Sequence, residues 1–279
     1  MILAQITDSH VERAGRLAHG RFDTAVAFRR CVERINAFDP PVDLVLHTGD
    51  LVEQGTPDEY DHVLDILEGL ERPFAAIPGN HDEREAFRAA FIGAPWLPED
   101  GPYLQFVVED LPVRVVCCDT LMPGNVSGEL CPERLAWLDA RLAEAPGRPT
   151  VVAMHHPPFD HGMPGLSRAG LDRGGAELAD ILRRNEQVIR LVTGHVHRTI
   201  VREFAGVPAF VAPPLSFGFD LDLSPDRILA MSGEPPGFAI HLWTDDHAVG
   251  GSGLVSHVVP LGNFGEPVIL RRGGKRVLS

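Results

Sequence analysis

This chain predicts an α/β sandwich of two mixed β-sheets flanked by helices, and three observations carry the prediction. Short apolar runs alternate with amphipathic stretches over the first two thirds of the chain, the rhythm of strands covered by helices. After His197 the pattern turns to alternating apolar and polar residues broken by Gly and Pro, which marks antiparallel strands. At 279 residues the chain can bury the core of one large domain, or of a domain with an appendage, without disulfide staples. A second sheet packed on the first makes a four-layer α/β/β/α arrangement.

In chain order the expected strands are 2–7, 44–48, 74–77, 113–118, 150–154 and 188–193. Residues 24–38 read as a helix. The run Thr56-Pro57-Asp58-Glu59 opens another with an N-cap, a first-turn proline and a Glu that reaches back, and Val63, Leu64, Ile66, Leu67 and Leu70 give it one apolar face. Pro132 opens a third, with Leu135, Leu138 and Leu142 at helical spacing, and residues 175–184 form a fourth. The later alternating runs are 200–204, 207–211, 238–243 and 255–259. Residues 1–214 are expected to form the core, with 215–279 supplying the final strands of the same domain. The stretch 213–236, rich in Pro, Asp, Leu and Phe, is too long for a plain connection and is a candidate lid or interface, an exposed meandering loop being the other reading. The basic tail 271–276 reads as a solvated terminus.

Composition narrows the function. A formal net charge of −14 argues against binding a nucleic-acid duplex, since such proteins neutralise phosphates with clustered Lys and Arg. A pair of divalent ions would still make one pocket locally positive. Cys31, Cys117, Cys118 and Cys131 show neither a C-x-x-C spacing nor a disulfide framework, so reduced thiols are expected. The apolar start ends at Asp8 without a basic region or cleavage site, which makes it a first strand rather than a signal. No window approaches the ~20 apolar residues of a membrane span. A cytoplasmic protein is expected, with a cleaved-precursor origin left open.

Five polar clusters, each just after an apolar run, point to the chemistry: Asp8-Ser9-His10, Gly49-Asp50, Gly79-Asn80-His81-Asp82, His155-His156 and Gly194-His195-Val196-His197. Oxygen and imidazole donors delivered in series to one end of a sheet can enclose two cations. Asp8 and His10, two apart, face the same way on extended backbone. Gly49 allows a sharp turn that projects the Asp50 carboxylate over the strand end, where it can bridge two ions. Asn80 is a neutral ligand that leaves charge room for a phosphate. His81 faces the pocket without binding metal, with Asp82 or a nearby carboxylate fixing its tautomer. His155 and His156 are adjacent and face opposite ways, so one of them is a ligand. His195 and His197 share a face and can each reach one cation.

This series resembles the calcineurin-like metallophosphoesterases over residues 1–215, whose pattern is Asp-x-His, Gly-Asp, Gly-Asn-His-(Asp or Glu), His, and Gly-His-x-His. Gly-Asn-His-Asp, the Met154-His155-His156-Pro157-Pro158 run and the strand pair after Gly-His-x-His make it similar to bacterial class III cyclic nucleotide phosphodiesterases and the related glycerophosphodiesterases. The resemblance implies that Asp8, His10, Asp50 and His197 hold one metal, and Asp50, Asn80, His155 and His195 the other. It implies that His81 contacts the scissile phosphate, and it leaves His156 as a supporting or pocket residue. It further implies two divalent ions (Mn, Fe, Co or Zn) and hydrolysis of small phosphodiesters, foremost 3′,5′-cyclic nucleotides, to phosphomonoesters by a metal-bridging hydroxide. Glycerophosphodiesters or phosphomonoesters are the alternative substrates, and a non-catalytic scaffold of this fold is the remote one. His19 stands where some relatives carry an aromatic hydroxyl, and Ser216-Phe217 where some place a histidine, so His19, Asp82, His156, Ser216 and Phe217 are candidate pocket residues. A homo-oligomer through exposed Leu and Phe of residues 213–236 is a further expectation.

Overall fold

The structure, a computed structural model, describes residues 1–166, 170–224, 228–246, 251–265, 268–272 and 275–276. The elements run β1 (Ile2–Ile6), α1 (Thr24–Asn36), β2 (Leu44–His47), α2 (Pro57–Leu67), β3 (Phe74–Ala76), α3 (Arg84–Ala90), β4 (Phe106–Val108), β5 (Arg114–Cys117), β6 (Gly128–Glu129) and α4 (Pro132–Ala143). They continue as β7 (Thr150–Ala153), β8 (Leu171–Arg173), α5 (Gly175–Arg184), β9 (Val188–Thr193), β10 (Ile200–Phe204), β11 (Val207–Val211), β12 (Gly218–Phe219), β13 (Met231–Ser232), β14 (Gly237–Asp246) and β15 (Gly251–Pro260). The part of the 213–236 segment at 225–227, and the two glycines of the basic tail, lie outside the described residues.

Helix starts follow local chemistry. The Asp23 carboxylate accepts from the Val26 N–H at 3.0 Å to cap α1, and Glu59 accepts from the Thr56 N–H at 3.1 Å at the head of α2. Helix α3, capped by Glu83 on the Ala86 N–H at 2.8 Å, is not legible in the sequence. Its seven residues bury only Phe87, too short a span for a period to register.

Two sheets organise the chain, in the orders β15-β14-β1-β2-β3 and β10-β11-β9-β7-β5-β4. Strands β1, β2 and β3 are parallel, as are β5, β7, β9 and β11. The strands after His197 therefore do not form a sheet of their own, as their alternation suggests. Instead β11 joins β9 in parallel and β10 folds back on it, whereas β14 pairs antiparallel with β1 and carries β15 at the edge. A parallel centre needs both faces covered, and antiparallel strands at the rim tolerate water on one face.

Three apolar clusters make the four layers. Ala4, Ile6 and Val45 point to α1, α2 and α3, while their neighbours Leu3, Leu44 and Leu46 point to the other sheet. Likewise Val116, Val152 and Leu191 face α4 and α5, and Val115, Val151 and Val192 face inward. The two-residue period sorts each strand between two layers. A small polar network interrupts the inner layer. The Gln5 amide donates to Thr48 Oγ1 at 3.0 Å and to the Thr193 carbonyl at 2.9 Å, and its Oε1 lies 3.0 Å from His241 Nε2, so one buried side chain ties the two sheets together. Among the described residues no helix is long and apolar enough to cross a membrane. Cys31, Cys117 and Cys118 are buried, and all four cysteines are free.

Candidate metal centre

The site lies where the loops after β1, β2, β3, β7 and β9 meet. Backbone bonds zip these loops together: Asp8 N–H to the Gly49 carbonyl at 3.0 Å, His10 N–H to Asp50 at 3.1 Å, and Gly194 N–H to His155 at 2.9 Å. The local backbone is unusual. Seven non-glycine residues among those described have φ between +45° and +75°, and five of them are Asp8, His10, Asp50, His195 and His197. A left-handed conformation costs a side-chain-bearing residue on the order of 1 kcal/mol, and such strain concentrates at functional sites. Its effect here is to turn side chains over the strand ends instead of along the sheet faces. Gly49, at φ +101°, completes the turn before Asp50, and a Cβ there would lie 2.4 Å from His155 Nδ1. At Gly194 a Cβ would sit 2.0 Å from Thr7 Oγ1, so the β9 loop can close on the β1 loop only without one.

Hydrogen bonds set the orientation of each ring. His10 Nδ1 lies 2.8 Å from a Glu53 carboxylate oxygen and His197 Nδ1 lies 2.7 Å from the Phe217 carbonyl. His155 Nδ1 lies 2.8 Å from the Thr48 carbonyl. These oxygens only accept, so each Nδ1 carries the hydrogen and in the neutral ring each Nε2 presents a lone pair. The Nε2 atoms of His10 and His197 are 3.0 Å apart, and Asp8 Oδ1 is 3.6 Å from the latter. Around the other centre His155 Nε2 stands 3.2 Å from Asp50 Oδ2 and 3.3 Å from Asn80 Oδ1. The same Asp50 oxygen is 3.6 Å from His10 Nε2, so one carboxylate faces both groups. Both Asp8 oxygens accept from the His195 N–H at 3.0 Å, which joins the two sheets at the site.

Electrostatics follow from burial. Removal from water pushes Asp8 up to about 6, helped by the neighbouring Asp50 charge. Burial works the same way on Asp50, but His155, His81 and His10 outweigh it and hold that carboxyl well below the usual range. Burial alone would lower His155, yet Asp50 and Asp8 bring it to about 9. His195 and His197 are pushed far down by burial and are neutral, the form in which imidazole binds metal.

These residues fit two divalent cations. The donor atoms of Asp8, His10 and His197 lie within 4.8 Å of one another, as do those of Asp8, Asp50 and His155. Two facing imidazole lone pairs repel unless a cation or proton lies between them, and His195 Nε2 is buried with no hydrogen-bond partner. The donor set of nitrogen and oxygen suits first-row transition metals.

A cavity of about 250 Å³ opens over this cluster, lined at its base by His10, Asp50, Asn80, His81, His195 and His197. Of the expected pocket residues, His19 and Phe217 line it, and Asp82, His156 and Ser216 do not. Asp82 lies below the loop, accepting from the Gly79 N–H at 2.8 Å and the Tyr60 hydroxyl at 2.8 Å, and burial raises it to about 6. The His81 tautomer is therefore not set by Asp82. His81 Nδ1 donates to the Glu53 backbone carbonyl at 2.8 Å. His156 is buried with both ring nitrogens engaged, on Thr120 Oγ1 at 2.8 Å and the Val126 carbonyl at 3.1 Å, and Gly128 packs where a Cβ would strike its ring. Ser216 is buried, its hydroxyl without a partner.

Glu53 is the site residue that motif reading missed. Its side chain orients His10 and its backbone carbonyl orients His81. An acidic residue in the mostly apolar run after Gly49-Asp50 was the available signal.

Fold and cluster together define a metal-dependent phosphoesterase. The family model for calcineurin-like phosphoesterase matches residues 1–199, and the chain belongs to that family. It is 34% identical over 267 residues to a probable glycerophosphodiester phosphodiesterase of Arcobacter nitrofigilis, covering 96% of both chains. It is 35% identical over 237 residues to a probable cyclic nucleotide phosphodiesterase of Rhodopseudomonas palustris, covering 84% of this chain and 85% of that one. In fold it is similar to a dimetal phosphatase from Danio rerio, with a TM-score of 0.64 at 15% identity over 94% of this chain and 99% of that chain.

Proposed function

We propose that this protein hydrolyses small phosphodiesters to phosphomonoesters, with 3′,5′-cyclic nucleotides as the first substrate class. The carrying observation is Asp50, one carboxylate facing both imidazole groups at the base of a cavity of about 250 Å³. Glycerophosphodiesters are the second reading, favoured by the relative matched over 96% of both chains.

Asp8, His10, Asp50 and His197 would hold one cation, and Asp50, Asn80, His155 and His195 the other. Bound there, the pair supplies Lewis-acid chemistry, neutralising phosphoryl charge and lowering the pKa of water near neutrality. Asn80 contributes an oxygen without a charge, which limits repulsion of an anionic diester. His81, with Nδ1 committed to Glu53, has Nε2 free for a phosphoryl oxygen or the departing alkoxide. Glu53 and the Phe217 carbonyl hold His10 and His197 so that only their Nε2 atoms face the cluster. Asp82 and Tyr60 keep the loop carrying Asn80 and His81 in place. Residues 215–279 are read as part of the same domain, with the β12–β13 ribbon as a lid over the cavity. A homo-oligomer through the exposed Leu221 and Leu223 and a cytoplasmic location complete the reading.

The test strips the protein with a chelator, reloads it with Mn, Fe, Co or Zn, and measures bound metal and turnover of cyclic AMP, glycerophosphocholine and p-nitrophenyl phosphate. Two ions per chain and faster turnover of diesters than of the monoester are expected. A preference for the monoester would overturn the diesterase reading.

A further inference from the structure

The cavity has two unlike sides. Opposite the metal-binding base it is walled by Val126, Leu166, Phe217, Phe219, Leu229 and Met231, and His19, whose ring packs edge-on against Phe217, lines the cavity beside them. Several of these apolar groups are left open to water, Val126 at 62%, Leu229 at 45% and Met231 at 36% exposure, although each borders a cavity that could shelter them.

The ribbon supplies the centre of the wall through Phe219 and Met231. Strands β12 and β13 pair Gly218 with Ser232 and Phe219 with Met231. Residues directly opposite in an antiparallel pair project to the same face, so the ribbon delivers Phe219 and Met231 together, and Leu229, just before β13, lines the same cavity. The ribbon is tied to the base. Arg198, next to His197, donates to the Phe219 carbonyl and pairs with Glu234 at 3.0 Å, and the Phe217 carbonyl accepts from His197 Nδ1 at 2.7 Å. The wall therefore stands at a set height above the cluster.

We propose that this ribbon wall is the subsite for the ester substituent that stays on the phosphate when the leaving group departs, and that it selects a flat apolar ring such as a nucleobase. The inference rests on the diesterase reading above. An alcohol with several hydroxyls would lose hydration against Leu229, Met231 and Val126, with His19 the polar side chain beside them, whereas a ring would bury apolar surface on all three. A quaternary ammonium group finds no open aromatic cage, because Phe217 and Phe219 each pack on the His197 ring at 4.8 Å. It would also sit beside two metal cations.

The experiment uses the metal-loaded protein and three diesters: thymidine 5′-p-nitrophenyl phosphate, methyl p-nitrophenyl phosphate and glycerophosphocholine. The first two share a leaving group and differ in the substituent the wall would hold. In the wild type, kcat/KM is expected to be roughly tenfold or more higher for the nucleoside diester than for either other compound. In a Leu229→Ser, Met231→Ser double variant the nucleoside-to-methyl ratio should fall to about threefold or less. Val126→Ser repeats the test at a wall residue outside the ribbon, and thermal melting reports whether each variant is folded. A wild-type ratio near one, a preference for glycerophosphocholine, or a ratio that survives in both folded variants would overturn the subsite while leaving the diesterase reading intact. Failure of the wild type to hydrolyse any diester would remove that reading, and the subsite with it.

Discussion

The base and the roof of one cavity are built on opposite plans. At the base Asp8, His10, Asp50, His155, His195 and His197 are nearly inaccessible, five of them on left-handed backbone, and close-packed glycines leave no room for a Cβ. At the roof Met231, on a ribbon of two residue pairs, and Leu229 just before it are open to water. The base is over-determined by burial and hydrogen bonds, so its atoms hold a geometry that chemistry can use. The roof is anchored on one side, where Arg198 and the rings of Phe217 and Phe219 on His197 hold it, while Leu229 and Met231 stand open to water. On the reading proposed above, reaction type belongs to the buried half and substrate choice to the exposed one, a division by which one fold can serve several substrates.

Substitutions at the base should break this contrast most severely. Asp50→Ala removes the carboxylate common to both groups, and bound metal by elemental analysis and turnover should fall together, the latter by on the order of 10⁶-fold. Two ions retained per chain would deny Asp50 its bridging place. His81→Ala should leave metal content unchanged and lower kcat by about 10²–10⁴-fold, since it removes a donor without a ligand. Wild-type rates there would strip His81 of its role. Glu53→Gln keeps the size of the side chain but weakens the bond that orients His10, and metal affinity measured by calorimetry should drop ~10–100-fold. An affinity equal to wild type would make Glu53 a bystander.

The smallest effect lies beneath the site, at His241 between the sheets. Burial, with some help from Arg190, holds it down at about 3 against an ordinary 6.5. Because the folded value is the lower one, the native state takes up a proton less readily than the unfolded chain. This contribution to stability is complete above pH 6.5 and is lost progressively as pH falls from there toward about 3. His241→Gln should flatten that part of the stability–pH curve, read as denaturant midpoints across the range. An equally steep curve in the variant would place the acid sensitivity elsewhere.

Much of this molecule was legible before folding. Strands β1, β2, β3, β5, β7 and β9 fall within a residue or two of their apolar runs, and α5 spans the expected residues. Buried parallel strands read as continuous apolar stretches, and capping residues mark helix starts. The residues that gather at the site were legible because each follows the end of a strand. What escaped notice was short or relational. Helix α3 is two turns long, β4 is a three-residue edge strand, and Glu53 matters only because His10 and His81 come to lie beside it.

By itself the sequence determined the identity and order of the donor groups, the helix caps and the α/β rhythm, since these depend on residues near one another along the chain. The tertiary structure alone decided which sheet received β14 and β15, which of His155 and His156 turned its free nitrogen toward Asp50, and what stood across the cavity. Those outcomes depend on partners far apart in sequence, such as Thr48 for His155 and Thr120 for His156. Local propensity carries no information about a hydrogen-bond partner that only the packing of two sheets brings within reach.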